Sequence, residues 1–267
     1  MNSATEKFAR FLEENKLSMD AMKRLGYPTD SIDKSDTPKT KVCNRCQTNF
    51  TNANSLCMYH WGLPEENLSN TYYNCCGAPL HSRGCTCMIG HVAKSERASF
   101  KYTRATNCLP PSVLGIQCKL VQTTNGLQAG RISLVNFRGQ VLYDSYIFPE
   151  YRVVDCNTST SGLLVKDVFG GKELIEVQED LLKIINKHSI LIGHGLGSCL
   201  NLLKLIHMHV IDLNECFDQS GSSDLNELAE TYLGPKAVNL RKDNVLDAKL
   251  CIDLVLYGFF LELFCII

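Results

Sequence analysis

The stretch Val113-Leu-Gly-Ile-Gln-Cys-Lys-Leu-Val121 decides how the rest of the chain is read. It is a short apolar run with valine at both ends, preceded by Pro110-Pro111 and closed by a Thr123-Thr-Asn-Gly126 turn, which is the pattern of a buried central strand. Gln117 and Lys119 interrupt it two residues apart, so they share one face of the strand. Burying an amide and an ammonium without partners costs kilocalories each. That face therefore either lines a site or is the wet side of an edge strand.

Working outward, strands are expected at 130–137 and 140–148, joined by a hairpin turn at Arg138-Gly139. A helix follows at 173–187, where Leu174, Val177, Leu181 and Ile184 recur on one side. Then come a buried strand at 189–194, a helix at 196–206, a short strand at 210–212 and helices near 224–233 and 247–264. Three antiparallel strands followed by alternating helix and strand make a mixed five-stranded α/β sheet with flanking helices. Upstream, Phe8, Phe11, Leu12, Met19 and Met22 set an amphipathic helix over 5–24, ended by Gly26-Tyr-Pro28 and followed by a polar linker to residue 40. The chain thus divides into an N-terminal helix and linker (1–40), a Cys/His-rich module (41–95), a connector (96–112) and the sheet domain (113–267).

A chain of 267 residues, 45% hydrophobic, has room for one ordinary domain and a small one. The net charge of −1 advertises no polyanion partner, but residues 1–105 hold 14 Lys/Arg against 10 Asp/Glu and the remainder 13 against 18. The basic front half is compatible with nucleic acid and equally with ordinary surface scatter. The N-terminus lacks a secretory pattern and no apolar run reaches membrane-spanning length, so the expectation is a nuclear or cytoplasmic protein without a membrane partner. In a reducing compartment the 14 cysteines read as metal ligands or core residues rather than disulfides.

Residues 43–91 hold seven of those cysteines, three of the seven histidines and the only Trp. Cys43-x2-Cys46, Cys57-x2-His60, Cys75-Cys76, Cys85 and His91 make eight soft ligands, enough for two tetrahedral zinc sites. A loop-rich segment of this size buries too little apolar surface to fold alone, and metal supplies the deficit. Nothing in the spacing leaves an open position, so the zinc is expected to be structural. Side chains of an extended Cys75-Cys76 pair diverge, which would send them to different sites; His81 and Cys87 are spare ligands.

Read in order, Cys-x2-Cys, Cys57-Met-Tyr-His-Trp-Gly62, Tyr73-x-Cys-Cys76, Gly84-Cys85 and His91-Val92 resemble the module preceding the nuclease domain of RNA exonuclease 1-like proteins. The resemblance continues through Arg131-Ile-Ser-Leu-Val135, Val141-Leu-Tyr-Asp144, Val153-Val-Asp-Cys-Asn-Thr158, Ser161-Gly162, Leu191-Ile-Gly-His194 and Leu203-Lys-Leu-Ile-His207, covering roughly residues 17 to 258. It implies a ribonuclease H-like fold of the DEDDh 3′-to-5′ exonuclease group. Such enzymes hold two Mg²⁺ or Mn²⁺ ions with four carboxylates and use a His as general base.

This chain departs from that pattern at the site. The Asp-x-Glu positions are Gln117 and Lys119, the second-motif Asp falls on Cys199, and the third-motif His is Lys242; only Asp247 is retained. An ammonium about 4 Å from a divalent ion is repelled by several kcal/mol even at an effective dielectric of about 20. The resemblance therefore implies an exonuclease-family protein impaired in hydrolysis, without Mg²⁺ or Mn²⁺ in the cleft, that binds RNA or a protein partner. Lys119 and Lys242 would hold a phosphate backbone as point charges, or Lys119 would pair with Asp247 and fill the site. An active 3′-to-5′ exoribonuclease and an interaction scaffold without nucleic acid are the alternatives. Among other residues, His194 reads as a packing or hydrogen-bonding side chain, Asp144, Asp155 and Asp212 as turn and cap residues, and Cys118 as core. The apolar end of the chain reads as a packed final helix or a protein-partner surface.

Overall fold

The computed structural model describes residues 3–29, 41–43, 45–52, 55–66, 71–91, 100–105, 112–217 and 224–264. Most of the 29–40 linker, and parts of the 92–112 stretch, lie outside them.

The N-terminal segment is two helices, α1 (Ser3–Glu14) and α2 (Met19–Arg24), where periodicity predicted one. Asn15 turns its amide onto the Phe11 carbonyl, and Ser18 caps α2 by accepting from the Ala21 N–H at 3.2 Å. Both side chains offer the backbone an alternative to continuing the helix. Between the helices the Leu17 N–H donates to the Val210 carbonyl at 2.8 Å, tying this segment to the sheet domain 193 residues away in sequence.

The Cys/His-rich module is three small antiparallel ribbons: β1 (Lys41–Val42) with β2 (Asn49–Phe50), β3 (Leu56–Tyr59) with a later strand, and β4 (Pro64–Glu66) with β5 (Thr71–Tyr73). The partner of β3 is β6 (Thr86–Ile89), which aligns Cys57 with Met88. Its apolar core consists of Cys43, Phe50, Cys57 and Tyr59, with Cys46 and Met88 against them. Three of those six are thiols, so apolar burial alone does not hold the module together.

Within the connector, β7 (Lys101–Tyr102) is a strand rather than plain coil. The sheet domain then runs β8 (Val113–Thr123), β9 (Gly126–Asn136), β10 (Val141–Tyr146), β11 (Val153–Asp155), α3 (Thr158–Ser161), α4 (Val165–Phe169), α5 (Leu174–Ile184), β12 (Ile190–Gly193), α6 (Leu196–Leu202), β13 (Leu205–Ile206), β14 (Val210–Asp212), α7 (Leu213–Cys216), α8 (Leu225–Leu233) and α9 (Asn244–Phe264). The helix expected over 196–206 stops at Leu202, because Lys204 takes φ 51° and the chain re-enters as β13, which pairs with β7. Strand order is β10-β9-β8-β12-β14, the first three antiparallel and the last two joined in parallel, with β11 added to the far end of β8. β8 is thus central, not an edge.

Alternation along β8 sorts the two cores. Leu114 and Ile116 face α5 and α6, packing with Ile132, Leu134, Leu181, Leu196, Cys199 and Leu200, and Met22 and Tyr27 close that side. On the opposite face Val135, Ile192 and Ile211 meet Ala248, Cys251, Ile252 and Val255 of α9, and Phe11 and Leu12 of α1 complete the layer. Gly115 makes this contact possible, since a Cβ there would lie 2.4 Å from the Ala248 carbonyl oxygen. α9 therefore presses its first turns directly onto the strand that carries Gln117 and Lys119. Opposite the Lys119–Leu120 step, β9 carries a bulge at Gly130, which shifts the register there.

Candidate metal centres and the nuclease cleft

The eight predicted ligands gather into two groups, Cys43, Cys46, Cys57 and His91, and His60, Cys75, Cys76 and Cys85, with ligand atoms within 4.8 Å of one another in each. A tetrahedral ion with sulfur ligands at about 2.3 Å has S···S edges of about 3.8 Å. Cys43 and Cys57 stand 3.7 Å apart, Cys75 and Cys85 3.6 Å, and Cys75 and Cys76 3.9 Å. The imidazoles fit the same figure, with His91 Nδ1 3.4 Å from Cys46 and His60 Nδ1 3.3 Å from Cys76. The donor sets fit a divalent ion that favours soft ligands, and both groups could hold one.

Cys75 and Cys76 serve the same group, which corrects the expectation that they diverge. They sit in the Asn74–Cys76 turn, whose Gly77 N–H donates to the Tyr73 carbonyl at 2.7 Å, and a turn folds adjacent side chains together where an extended strand separates them. The groups are nested in sequence, the second inside the first. Pairing of β3 with β6 is the cause, for it brings Cys57 and the segment ending in His91 together across 33 intervening positions. His60 is oriented by contact of its Nε2 with Ser82 Oγ at 3.2 Å and by stacking on Tyr73 at 3.8 Å; His91 stacks on Phe50. Burial pushes the Cys57 thiol up to about 12. At Cys85 burial pulls the same way, but hydrogen bonds from Thr86, Cys75, His60 and Cys76 outweigh it and bring the thiol down to about 7. His81 and Cys87 belong to neither group among the described residues.

In the sheet domain, Gln117, Lys119 and Asp247 meet where α9 crosses β8. Lys119 Nζ donates to Asp247 Oδ2 at 2.5 Å, with side chains only 15% and 6% exposed. The other carboxylate oxygen accepts from Asn239 Nδ2 at 2.7 Å, so both oxygens of the one retained acid are occupied. Beside this pair, Asn244 Nδ2 donates to the Gln117 carbonyl and to Ser133 Oγ, each at 2.8 Å, and the Ser133 hydroxyl donates to Asp144 Oδ1 at 2.6 Å. Arg131 grips Asp144 through two bonds of 3.0 and 2.7 Å and lies 3.5 Å from Asp243. Asp144 is therefore a cross-strand ion-pair partner, not the turn or cap residue expected. Asp155 and Asp212 do act that way: Asp155 accepts from the Asn157 N–H, and Asp212 from Gly195, Leu196 and Asn214.

Two predicted positions lie elsewhere. Cys199 is buried on the α6 side of the sheet, where the neighbouring Cys118 thiol and burial together push its own thiol up. β8 separates it from the Lys119–Asp247 pair. Lys242 sits in the turn ahead of α9 with φ 54°, its Cβ 3.1 Å from where a Cβ on Gly162 would stand. Among the described residues no carboxylate lies within ion-pairing distance of it. His194 ends β12; burial lowers its pKa against the pull of Asp212, Asp224 and Asp247, and its Nε2 is buried without a hydrogen bond among the described residues. Gln117 Oε1 shares that condition. Sequence reading missed Asn239 and Asn244, whose only trace was an Asn-rich turn before the final helix.

Two divalent ions do not fit this cleft. Gln117 offers one neutral oxygen, Lys119 brings a positive charge to the acid that would have to bind, and each oxygen of Asp247 already accepts a hydrogen bond.

No protein-family model matches the chain, but individual relatives do. It is 30% identical to exonuclease GOR of Pan troglodytes over 92% of this chain and 41% of that protein. It is 31% identical to RNA exonuclease 3 of Schizosaccharomyces pombe over 87% and 46%, and 28% identical to the human RNA exonuclease 1 homolog over 92% and 23%. The chain belongs to the RNA exonuclease family. It spans less than half the length of these relatives. Its sheet domain has a ribonuclease H-like fold: the Neurospora crassa Pan2 catalytic unit (protease and nuclease domain) superposes with a TM-score of 0.51 at 20% identity, over 64% of this chain and 31% of that one. The helix that crosses β8 brings Asp247 to the strand carrying Gln117 and Lys119, where its carboxylate meets the Lys119 ammonium.

Proposed function

We propose that this RNA exonuclease-family chain is a pseudo-exonuclease that holds RNA without cutting it, built on a zinc-stabilised module carrying one ion in each Cys/His group. One observation carries the reading: the Lys119 ammonium occupies the position beside Asp247 that a divalent ion would need. Replacing an ion by a fixed positive side chain keeps the carboxylate neutralised but supplies neither an activated water nor a stabiliser for the leaving oxygen. His194, held neutral by burial, has no metal-bound water to deprotonate. Lys119 is spent on Asp247, so contact with phosphate falls to Lys242, with the exposed Arg241 beside it. RNA is the ligand class because the relatives bear it in their names; by the same resemblance the compartment is the nucleus or cytoplasm.

The test has two arms. A 5′-labelled RNA incubated with Mg²⁺ or Mn²⁺ is expected to remain full length, and manganese soaks to leave no paired density beside Asp247; laddering or paired density sinks the loss of hydrolysis. Lys242→Glu is expected to weaken RNA binding and flatten its salt dependence by about one unit of slope. Unchanged affinity removes the RNA-holding part. A protein partner is the second reading, favoured by Phe260 and Leu261, 51% and 43% exposed near the end of α9.

A further inference from the structure

Arg45 lies inside the Cys43-x2-Cys46 knuckle, and its charge has no conventional partner. Its Nε and Nη1 are buried without hydrogen bonds, its guanidinium stacks over the Tyr59 ring at 4.7 Å, and Nη2 donates to the Gly90 carbonyl. Among the described residues no carboxylate pairs with it. A guanidinium with two nitrogens buried and no counter-charge is expensive, and nearby negative charge offsets that cost. Among the described residues the Cys/His group that flanks Arg45 can supply it. Three thiolates and a neutral imidazole around a divalent ion leave a net charge of −1.

The two groups differ in the way this requires. Cys43 and Cys57 are buried, whereas Cys76 and Cys85 of the second group are exposed and water can screen their excess charge. Arg45 also reaches across the module, for Gly90 immediately precedes His91, the fourth ligand of the first group. One side chain thus joins the knuckle bearing the first two ligands to the segment bearing the last.

We propose that Arg45 is a positioning residue of the first metal centre, acting as its buried counter-charge and as the clamp that keeps His91 in place. This rests on the reading that both groups bind zinc. The experiment is zinc release from the full-length protein into a chromophoric chelator, with His91→Ala used to assign which equivalent leaves from the first group. Arg45→Met is expected to release that equivalent about 10- to 100-fold faster while the second leaves at the wild-type rate. Arg45→Lys, which keeps the charge without the planar fork, is expected to recover part of the retention. Release of both equivalents at wild-type rates, equal acceleration of both, or a lysine variant no better than methionine overturns the proposal. Wild-type protein that carries no zinc would instead strike the zinc reading itself, and the second equivalent reports whether the rest of the module stays folded in each variant.

Discussion

The module and the cleft are two metal-binding designs in one chain, and they have opposite electrostatics. In the module every ligand predicted by spacing is present and converges, and a cation, Arg45, stands behind the ligands where it offsets their excess negative charge. In the cleft a cation, Lys119, is paired directly with the Asp247 carboxylate. On the proposed reading the same kind of charge supports metal in one region and excludes it in the other, and the position of the cation relative to the ligand atoms makes the difference.

The largest effect expected from breaking this comparison is metal removal. Chelation should unfold the module, since structural zinc contributes on the order of 10 kcal/mol in small Cys/His folds, while the sheet domain keeps its two apolar cores. Limited proteolysis should then cut within 41–91 and leave 112–264 intact; equal sensitivity of both regions would mean that they are not independent.

Next comes Lys119→Met. It strands Asp247 with Asn239 alone and should cost about 3–5 kcal/mol in urea unfolding, the usual penalty for halving a buried ion pair. Combining it with Asp247→Leu should return most of that loss, because replacing both charges by packed apolar groups is often near neutral. A single variant with wild-type stability would show that the pair is solvated and the cleft open.

A smaller effect separates the regions by pH. Burial lowers His207 to about 4, its ring held between Thr103 Oγ1 and the Ser189 carbonyl, each at 2.8 Å. The unfolded state binds this proton below pH ~6.5 and the folded state only below about 4, so sheet-domain stability should fall as pH drops through that window, by up to about 3 kcal/mol. His207→Gln should flatten the slope without touching acid release of zinc from the module. Smallest is Ser18→Ala, which removes the cap of α2 and should lower the sheet domain's melting point by about 1 kcal/mol equivalent while leaving the module unchanged.

Much of this was legible in the residues. β8 announced itself by its apolar run between a proline pair and a turn, and the two-residue spacing of Gln117 and Lys119 placed them on one face, as found. The two Cys/His groups were legible as candidate metal sites because thiols and imidazoles at x2 spacing have few other uses together. The break between α1 and α2 was harder to see, since hydrophobic periodicity continues across Ser18 and only the local hydrogen bonds end the first helix. Cys199 was assigned to the cleft by its place in a motif, but α6 packs it on the other side of the sheet beside Cys118. The polar turn that holds Asn239 and Asn244 was too weak a signal, because such a turn looks alike whether its amides face water or lock a buried carboxylate.

By itself the sequence determined the ingredients: an apolar strand carrying Gln117 and Lys119 on one face and eight side chains that can take metal, consequences of residue type and local spacing. Only the tertiary structure decided the partnerships. Long-range strand pairing nested the two ligand groups, the close approach of α9 at Gly115 set Lys119 on Asp247, and the fold of the knuckle turned Arg45 inward. Such contacts depend on where distant segments meet, and local periodicity carries no information about that.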